Sequence, residues 1–382
     1  MIECDVLVVG CGPAGASAAR AAATMGAKVI CIDKKKEVGV PVQCAEGIGS
    51  YLFPYLPFKI PKHQLKWRID GIRFWVDGVE IERKGGFWTG YTINRKLFDL
   101  WLSHLAKKAG ARIVTGTEFV SLDKMSSIHC ISKGRNIEIS AKAIVAADGS
   151  ESRVLKELGE YNPKPGDVGE VYSWEMNGVK LGAPNLEQIY AGEFAPGGYG
   201  YIFPKSKKSA NVGVGIPLPK KDPQEYFEQF FEISSVKKQL GRGKRTIEKS
   251  KKEIWGDVSK KWIYDNVIVV GDAANQNLKP FIEGILPAVI SGNIAGELAC
   301  LNASGQGVQE RQYRNELKKR LGQHFDASAE AMAVIEKIFR LKGKSKYVLF
   351  TGFISQVFGV EKLQQLEACT STELKRKLME LA

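Results

Sequence analysis

The chain of 382 residues is 44% hydrophobic and 25% charged, an ordinary balance for a folded protein that excludes disorder, and its length favours about two or three domains. No apolar run approaches the ~18 residues needed to span a bilayer, no charged leader precedes the first apolar strand, and seven cysteines without a CxxC pair argue for a reducing compartment and against zinc or iron–sulfur sites, so a cytoplasmic protein is expected. The formal net charge of +13 gathers in residues 205–261, where 15 Lys and Arg stand against 7 Asp and Glu; such a face is either plain solvated surface or a site for anionic lipid or an acidic protein, and no nucleic-acid module accompanies it.

Residues 6–10 read as a buried strand that runs into Gly10-Cys11-Gly12-Pro13-Ala14-Gly15 and then a helix kept slim by Ala18, Ala19, Ala21, Ala22 and Ala23. Gly10 permits a tight turn, Gly12 lets a pyrophosphate approach the backbone, and Gly15 lets the helix pack on the strand, so the helix N-terminus faces the phosphates. A second apolar run, residues 28–32, ends at Asp33, a carboxylate placed to accept hydrogen bonds from a ribose diol. Strand, glycine loop, helix, strand and acid in this order specify a dinucleotide cradle and leave NAD and FAD both open.

After Lys34-Lys35-Lys36 comes Val40-Pro41-Val42-Gln43-Cys44-Ala45-Glu46-Gly47, a loop too rich in Gly and Pro for a helix or strand interior. Residues 67–82 alternate weakly around Asp77-Gly78 and read as a hairpin. Tyr91-Thr92-Ile93-Asn94-Arg95 leads into a helix with Leu97, Phe98, Trp101, Leu102 and Leu105 at helical spacing, and residues 112–115 return as a strand. Residues 118–147 read as a meander whose last apolar strand stops at Asp148-Gly149, the signature of the carboxyl edge of a parallel sheet. Residues 168–217 read as antiparallel sheet broken by turns, 226–240 as one amphipathic helix and 246–255 as a strand. Residues 266–270 form a third nucleotide segment, followed by Gly271-Asp272-Ala273-Ala274 and a helix over 285–301. Mainly helices are expected from residue 309, ending in an amphipathic one over 371–381.

These residues resemble the FAD-dependent oxidoreductases of the glutathione-reductase superfamily, in the branch of the aromatic hydroxylases, and within it the geranylgeranyl reductases, including the archaeal digeranylgeranylglycerophospholipid reductases. The superfamily marks are the Gly10–Gly15 loop with Asp33, Ala147-Asp148-Gly149, and Val270-Gly271-Asp272-Ala273-Ala274. More specific are Val42-Gln43-Cys44 and Pro196-x-x-Tyr199-x-Tyr201-x-Phe203-Pro204, similar to the family's PxxYxWxFP signature with tyrosine in place of tryptophan. The resemblance extends to about residue 300. It implies an α/β fold: a discontinuous Rossmann-type FAD domain from residues 1–50, 85–155 and 263–302, an inserted antiparallel-sheet substrate domain from 51–84 and 156–262, and a C-terminal helical region, 303–382.

The resemblance also implies roles. Gly10, Gly12, Pro13, Ala14 and Gly15 would hold the pyrophosphate, Asp33 with Lys34 the adenosine ribose, and Arg95 the phosphate and ribitol side of the flavin. Cys44, Ala45 and Gly47 would lie along the cofactor, Val120 would offer backbone to the adenine, and Asp148 and Gly149 would border it. Gly271 and Asp272 would meet the ribitol or pyrophosphate. The helix starting at Gly284 and Ile285 would present N–H groups to the flavin pyrimidine edge, where a helix N-terminus stabilises the anion of the reduced ring. Tyr199, Tyr201, Phe203 and Pro204 would line the substrate pocket. One departure stands out: the family's glycine triplet after the proline is replaced by Pro280-Phe281-Ile282-Glu283-Gly284-Ile285, which puts Glu283 beside the flavin.

The implied activity is saturation of prenyl double bonds of an isoprenoid lipid by hydride from reduced flavin, with Cys44 as the candidate catalytic residue, whether as proton donor, redox sensor or ring contact. The histidines His63, His104, His129 and His324 fall in helix or strand patterns and suggest no metal centre. The electron donor is open between NAD(P)H and a ferredoxin, and the basic face could dock the ferredoxin or rest on the inner face of the cell membrane. Two other readings share the cofactor motifs: a flavin monooxygenase acting on an aromatic or polyene, and a non-catalytic FAD-binding redox module, motivated by Glu283 intruding on the flavin edge.

Overall fold

The computed structural model describes residues 2–123 and 127–382. β1 (Ile2–Val9), α1 (Pro13–Thr24) and β2 (Val29–Asp33) form the opening unit; the short strands β3 (Gly47–Gly49), β4 (Leu65–Ile69), β5 (Gly71–Val76), β6 (Val79–Lys84) and β7 (Gly90–Ile93) precede α2 (Arg95–Lys108). Next come β8 (Arg112–Thr115), β9 (Thr117–Leu122), β10 (Ser127–Ser132), β11 (Arg135–Ala146) and α3 (Arg153–Glu157). The chain continues through β12 (Val168–Asn177), β13 (Leu186–Ala191), β14 (Tyr199–Ser206), β15 (Ser209–Ile216), α4 (Pro223–Phe231), α5 (Ser234–Leu240) and β16 (Lys244–Ile254). It then returns through β17 (Ile263–Tyr264) and β18 (Val267–Val269) to α6 (Ile285–Ala303), α7 (Glu310–Arg340), α8 (Ser345–Ile354), α9 (Val360–Leu366) and α10 (Ser371–Leu381).

The first sheet has the order β17-β18-β11-β1-β2-β8, with β10 and β9 attached through β11, and its central strands are parallel. Every residue of β2 is buried, as expected of a strand covered on both faces. On one face α1 packs against α6 at backbone distance: a Cβ on Gly292 would lie 2.2 Å from the Ala14 carbonyl oxygen, and one on Gly296 2.2 Å from that of Ala18. Helix α6 overturns one sequence expectation. An 18-residue stretch of this 19-residue helix has a mean hydropathy of 1.3, long and apolar enough to cross a membrane by length and composition. Its interspersed Ser, Gly, Asn and Pro hide the run from a simple count, and 78% of that stretch is buried in the protein, as the core helix of this layer.

The second sheet has the order β16-β12-β15-β14-β13-β5-β6, antiparallel except where β13 meets β5. Alternation splits its residues between two faces. Ile202, Val212, Val214 and Tyr190 face α4 and α5, while Tyr199, Tyr201 and Ile189 face the cavity described below. The single helix expected over 226–240 is two, α4 and α5, with Ile233 leaving helical geometry between them. At about 100° per residue, Val236 on a straight helix would stand about 120° round from Phe230. The break lets both be buried. The hairpin expected over 67–82 is β5 and β6, turning at Asp77 and Gly78 with φ of 45° and 85°, whereas residues 65–69 pair with β7 in a small separate sheet. The last helices pack on the second sheet, where Val348 and Phe350 of α8 and Leu374 and Leu378 of α10 share a core with Phe74 and Ile81.

Candidate active site

Two cavities, of about 290 and 410 Å³, meet at Gln43, Cys44, Lys251, Glu253, Ile282, Gly284 and Ile285, each of which lines both. The smaller lies over the glycine loop. Gly10 has φ 98°, and a Cβ there would lie 2.3 Å from the Ala147 carbonyl oxygen; a Cβ at Gly15 would lie 1.8 Å from that of Gly10. These two glycines are demanded by strand–helix packing, so Gly15 acts on a bound group only through that packing. Gly12 differs: nothing lies within 4 Å of its would-be Cβ, which leaves open space beside an α1 N-terminus that no side chain caps. Such a cradle of bare backbone suits a diphosphate. Asp33 borders the cavity and also organises the loop, its carboxylate accepting from the N–H groups of Cys11 and Lys35, both at 2.8 Å.

The remaining expected cofactor residues divide. Pro13, Ala14, Lys34, Arg95, Asp148, Gly149 and Asp272 line this cavity. Arg95 is held by a bidentate pair with Asp99 at 2.9 Å, on a helix whose N-cap Asn94 accepts from the Leu97 N–H. One oxygen of Asp148 accepts from the N–H groups of Arg153 and Val154, so the carboxylate serves the start of α3. Gly271, at φ 69°, lies against Ala14, and it is Asp272 that reaches the wall. Val120 does not border the cavity, whereas Thr117, Glu118 and Phe119 at the start of the same strand do. The N-terminus of α6 is also uncapped, and Asp272 approaches it closely because the residue there is Gly284, whose Cβ would lie 3.2 Å from Oδ1.

The larger cavity is roofed by the second sheet. Tyr199, Tyr201 and Phe203 project into it from β14, and Gly213 makes room for Tyr201, since a Cβ there would lie 2.5 Å from its hydroxyl oxygen. The Tyr199 hydroxyl donates to the Phe281 carbonyl at 2.8 Å. Pro204, expected in this wall, is outside it; its carbonyl accepts from the Thr92 hydroxyl at 2.6 Å, because β14 alternates and 204 falls on the opposite face. Ala45 and Gly47 line this cavity rather than the nucleotide one. Glu283, between the junction residues Ile282 and Gly284, borders the larger cavity and not the smaller, tied there by the Gly49 N–H and the Tyr51 hydroxyl, both donating at 2.7 Å.

Beneath Cys44 lies a charge cluster that sequence reasoning missed. Glu46, 2% exposed, meets Lys205 at 2.5 Å, Asn211 at 2.9 Å and Lys249 at 4.0 Å, and accepts from the Arg95 N–H at 2.8 Å. Burial pushes its carboxyl up, but Lys205 and Lys249 outweigh that and hold it below the ordinary glutamate value. Lys249 donates to the Cys44 carbonyl at 3.0 Å, and the Cys44 sulfur accepts from the Glu46 N–H at 3.2 Å, so the loop at the cavity junction is pinned from below. Farther along β16, Lys251 pairs with Glu253 at 2.7 Å and Asp272 at 3.5 Å. The period-two spacing of Lys249, Lys251 and Glu253 was the available signal, yet in a basic stretch it reads as surface. The tail completes the walls with His324, Ser328 and Ala331 of α7 and Phe353 and Ile354 of α8, and His324 lies against the Tyr51 and Tyr55 rings.

Comparison with known proteins places the chain in a family. The profile of the geranylgeranyl reductase catalytic domain matches residues 167–251, and that of the pyridine nucleotide-disulphide oxidoreductases matches residues 4–174. Digeranylgeranylglycerophospholipid reductase 1 of Methanothermobacter thermautotrophicus is 30% identical over 399 aligned positions, covering 100% of this chain and 96% of that protein. The chain belongs to the geranylgeranyl reductase family. It is a flavin-dependent oxidoreductase of that family. The digeranylgeranylglycerophospholipid reductase of Methanocaldococcus jannaschii is 36% identical over 77% of this chain and 76% of its own. A geranylgeranyl bacteriochlorophyll reductase-like protein of Thermoplasma acidophilum superposes with a TM-score of 0.83 at 25% identity, covering both chains fully. A myxobacterial chondrochloren halogenase, 17% identical with a TM-score of 0.73, shares the fold.

Proposed function

We propose that the protein binds FAD in the smaller cavity and saturates prenyl double bonds of a geranylgeranylated lipid held in the larger one, by hydride transfer from reduced flavin. The observation that carries this reading is the junction: an aromatic, largely apolar cavity of about 410 Å³ opens onto the nucleotide cradle at Cys44, Gly284 and Ile285. The relatives' names support the lipid class. Bound flavin, in its reduced form, supplies the hydride. The chain's own residues do the rest. The Gly12 backbone and the α1 N-terminus receive the diphosphate, the Asp33 carboxylate receives a ribose hydroxyl, and the uncapped N-terminus of α6 favours negative charge where the cavities meet. Tyr199, Tyr201 and Phe203 exclude water and orient the chain, and the pinned loop keeps the Cys44 thiol at the junction.

Anaerobic single turnover tests this. The purified holoprotein is reduced with dithionite, a geranylgeranylated phospholipid is added, and the oxidised-flavin absorbance is followed while the lipid is weighed by mass spectrometry. Return of the oxidised spectrum with a lipid heavier by one hydrogen molecule per bond is the expected result. Flavin that stays reduced until oxygen is admitted, with an oxygenated product, would replace the reductase reading with a monooxygenase.

A further inference from the structure

The larger cavity contains a carboxyl group that no contact to the nucleotide cradle employs. Glu187 belongs to β13, whose side chains alternate: Gln188 and Tyr190 join Gln239 of α5 in a hydrogen-bonded cluster, while Glu187 and Ile189 face the cavity. Across from it runs β3, Gly47-Ile48-Gly49, with Ile48 buried in the core and both glycines on the cavity side. A Cβ at Gly47 would lie 2.6 Å from Glu187 Oε1 and 3.4 Å from the Phe203 ring, and one at Gly49 would lie 3.1 Å from Glu283 Oε1. The Glu187 carboxyl thus fills the space a side chain at 47 would take, and the Tyr51 ring with the Glu283 carboxyl behind it the space at 49, the two carboxyls coming from segments 96 positions apart in sequence.

Their surroundings differ. Glu283 receives two hydrogen bonds, from the Gly49 N–H and the Tyr51 hydroxyl, which favour its charged form. Among the described residues none donates a hydrogen bond to Glu187, whose accessible surface is cavity wall beside Ile189, Tyr199 and Phe203. The ionisable groups facing it are Glu283 from the loop before α6 and Tyr199 from β14; its partner on β5 is Ile72, and β3 brings no charge. On β16, Lys251 is engaged by Glu253 and Asp272, and Lys249 by Asn211 and the Cys44 carbonyl. Burial, and after it the neighbouring Glu283, push the Glu187 carboxyl up to about 8. Burial raises Glu283 as well, and its two donors offset only part of that rise. Of the two, the buried carboxyl without a donor is the one suited to act as an acid.

We infer that Glu187 is the general acid of the reduction. The inference rests on the prenyl-reductase reading. An isolated carbon–carbon double bond must gain two hydrogens of opposite character. As its π bond breaks, one carbon takes a hydride from reduced flavin, which is oxidised by two electrons, and the other takes the proton of the Glu187 O–H. The carboxylate left behind regains a proton from water before the next bond is reduced. Cys44 then contacts the reacting groups without supplying the proton.

The test compares wild type, Glu187→Gln, Glu187→Asp and Cys44→Ser holoproteins in the anaerobic turnover described above, across pH 6 to 10. Wild-type reoxidation is expected to fall as the pH passes through about 8. Glu187→Gln should be slower by about 100-fold or more at neutral pH, in the range of general acid catalysis. Its flavin content and its reduction by dithionite should be unchanged, and Glu187→Asp should recover part of the rate. A readout without turnover is infrared titration of the oxidised holoprotein: the carbonyl band of a protonated carboxyl should vanish as the pH passes through about 8 and be absent in Glu187→Gln. If Glu187→Gln does not fold, the wild-type band and the aspartate variant decide. A Glu187→Gln rate within a few-fold of wild type, absence of the titrating band, or loss of the alkaline limb in Cys44→Ser instead would overturn the proposal while leaving the reductase reading intact. Wild-type flavin that the lipid never reoxidises would overturn both.

Discussion

Replacing Glu46 with glutamine keeps the shape of a buried side chain and removes the one charge that two lysines share. Lys205 retains Glu175 at 2.7 Å, but Lys249, with a side chain 3% exposed, is left with only the Cys44 carbonyl and the Asn211 side-chain oxygen, at 3.0 and 2.7 Å. Removing one partner of a buried pair costs about 3–5 kcal/mol, and since Lys205 keeps a counter-charge the lower end, about 3 kcal/mol, applies. A chain of 382 residues has an unfolding entropy of about 0.8 kcal/mol/K, so Tm should fall by about 4 °C at pH 7. The pH dependence carries the electrostatic signature. Burial already holds Lys249 below its ordinary 10.5, against the pull of Glu46, and loss of Glu46 lowers it further. A lysine depressed in the folded state penalises folding below its folded pKa, and the penalty fades as the pH rises to the unfolded value. The deficit of Glu46→Gln should therefore shrink from pH 7 to pH 10. On the acid side Glu46 itself is depressed, so its contribution is present above the ordinary 4.5 and lost as the pH falls through the folded value, where the two proteins should converge again. Thermal unfolding followed by tryptophan fluorescence across this range checks the argument. A deficit under about 1 °C at pH 7, or one that stays flat to pH 10, would refute it.

Gly15→Ala places a methyl group 1.8 Å from the Gly10 carbonyl oxygen, so α1 must retreat from β1 and the cradle opens; overpacking of about 1–3 kcal/mol predicts flavin retention weaker by about 5- to 100-fold, read as the flavin-to-protein absorbance ratio after dialysis. Gly213→Ala pushes the Tyr201 ring into the larger cavity from behind, where the added Cβ would lie 2.5 Å from its hydroxyl. The expected result is a KM for the lipid raised by about tenfold at unchanged flavin content, and an unchanged KM would remove Tyr201 from the substrate wall.

The parts of this protein that were legible in its sequence share a property: the physical demand and the residue meeting it sit within one segment. Gly10 needs its positive φ where β1 ends, Asp77-Gly78 turns β5 into β6, Asn94 caps α2, and the α10 bounds Ser371–Leu381 follow from its own apolar period and capping box. Misreadings arose where a neighbour outside the segment decided the face. Pro204 fell on the far side of its strand. The helix over 226–240 broke so that Phe230 and Val236 could both be buried. Within the basic stretch, Lys205, Lys249 and Lys251 turn inward to Glu46, Glu253 and Asp272, while Lys207, Lys208, Lys237, Lys238 and Lys244 stay exposed.

By itself the sequence determined the nucleotide cradle, the parallel layer beneath it and the aromatic strand with its Tyr-x-Tyr-x-Phe spacing, since backbone conformation and side-chain alternation are local consequences of residue type. Only the tertiary structure decided what each charge experiences. It set Lys249 under Cys44 across 205 positions, tied Glu283 to Tyr51 across 232, and closed the cavity over Glu187 with a tail that carries no motif. A carboxyl's readiness to give up a proton depends on the water it has lost and the charges beside it, and both are supplied by strands and helices remote in the chain.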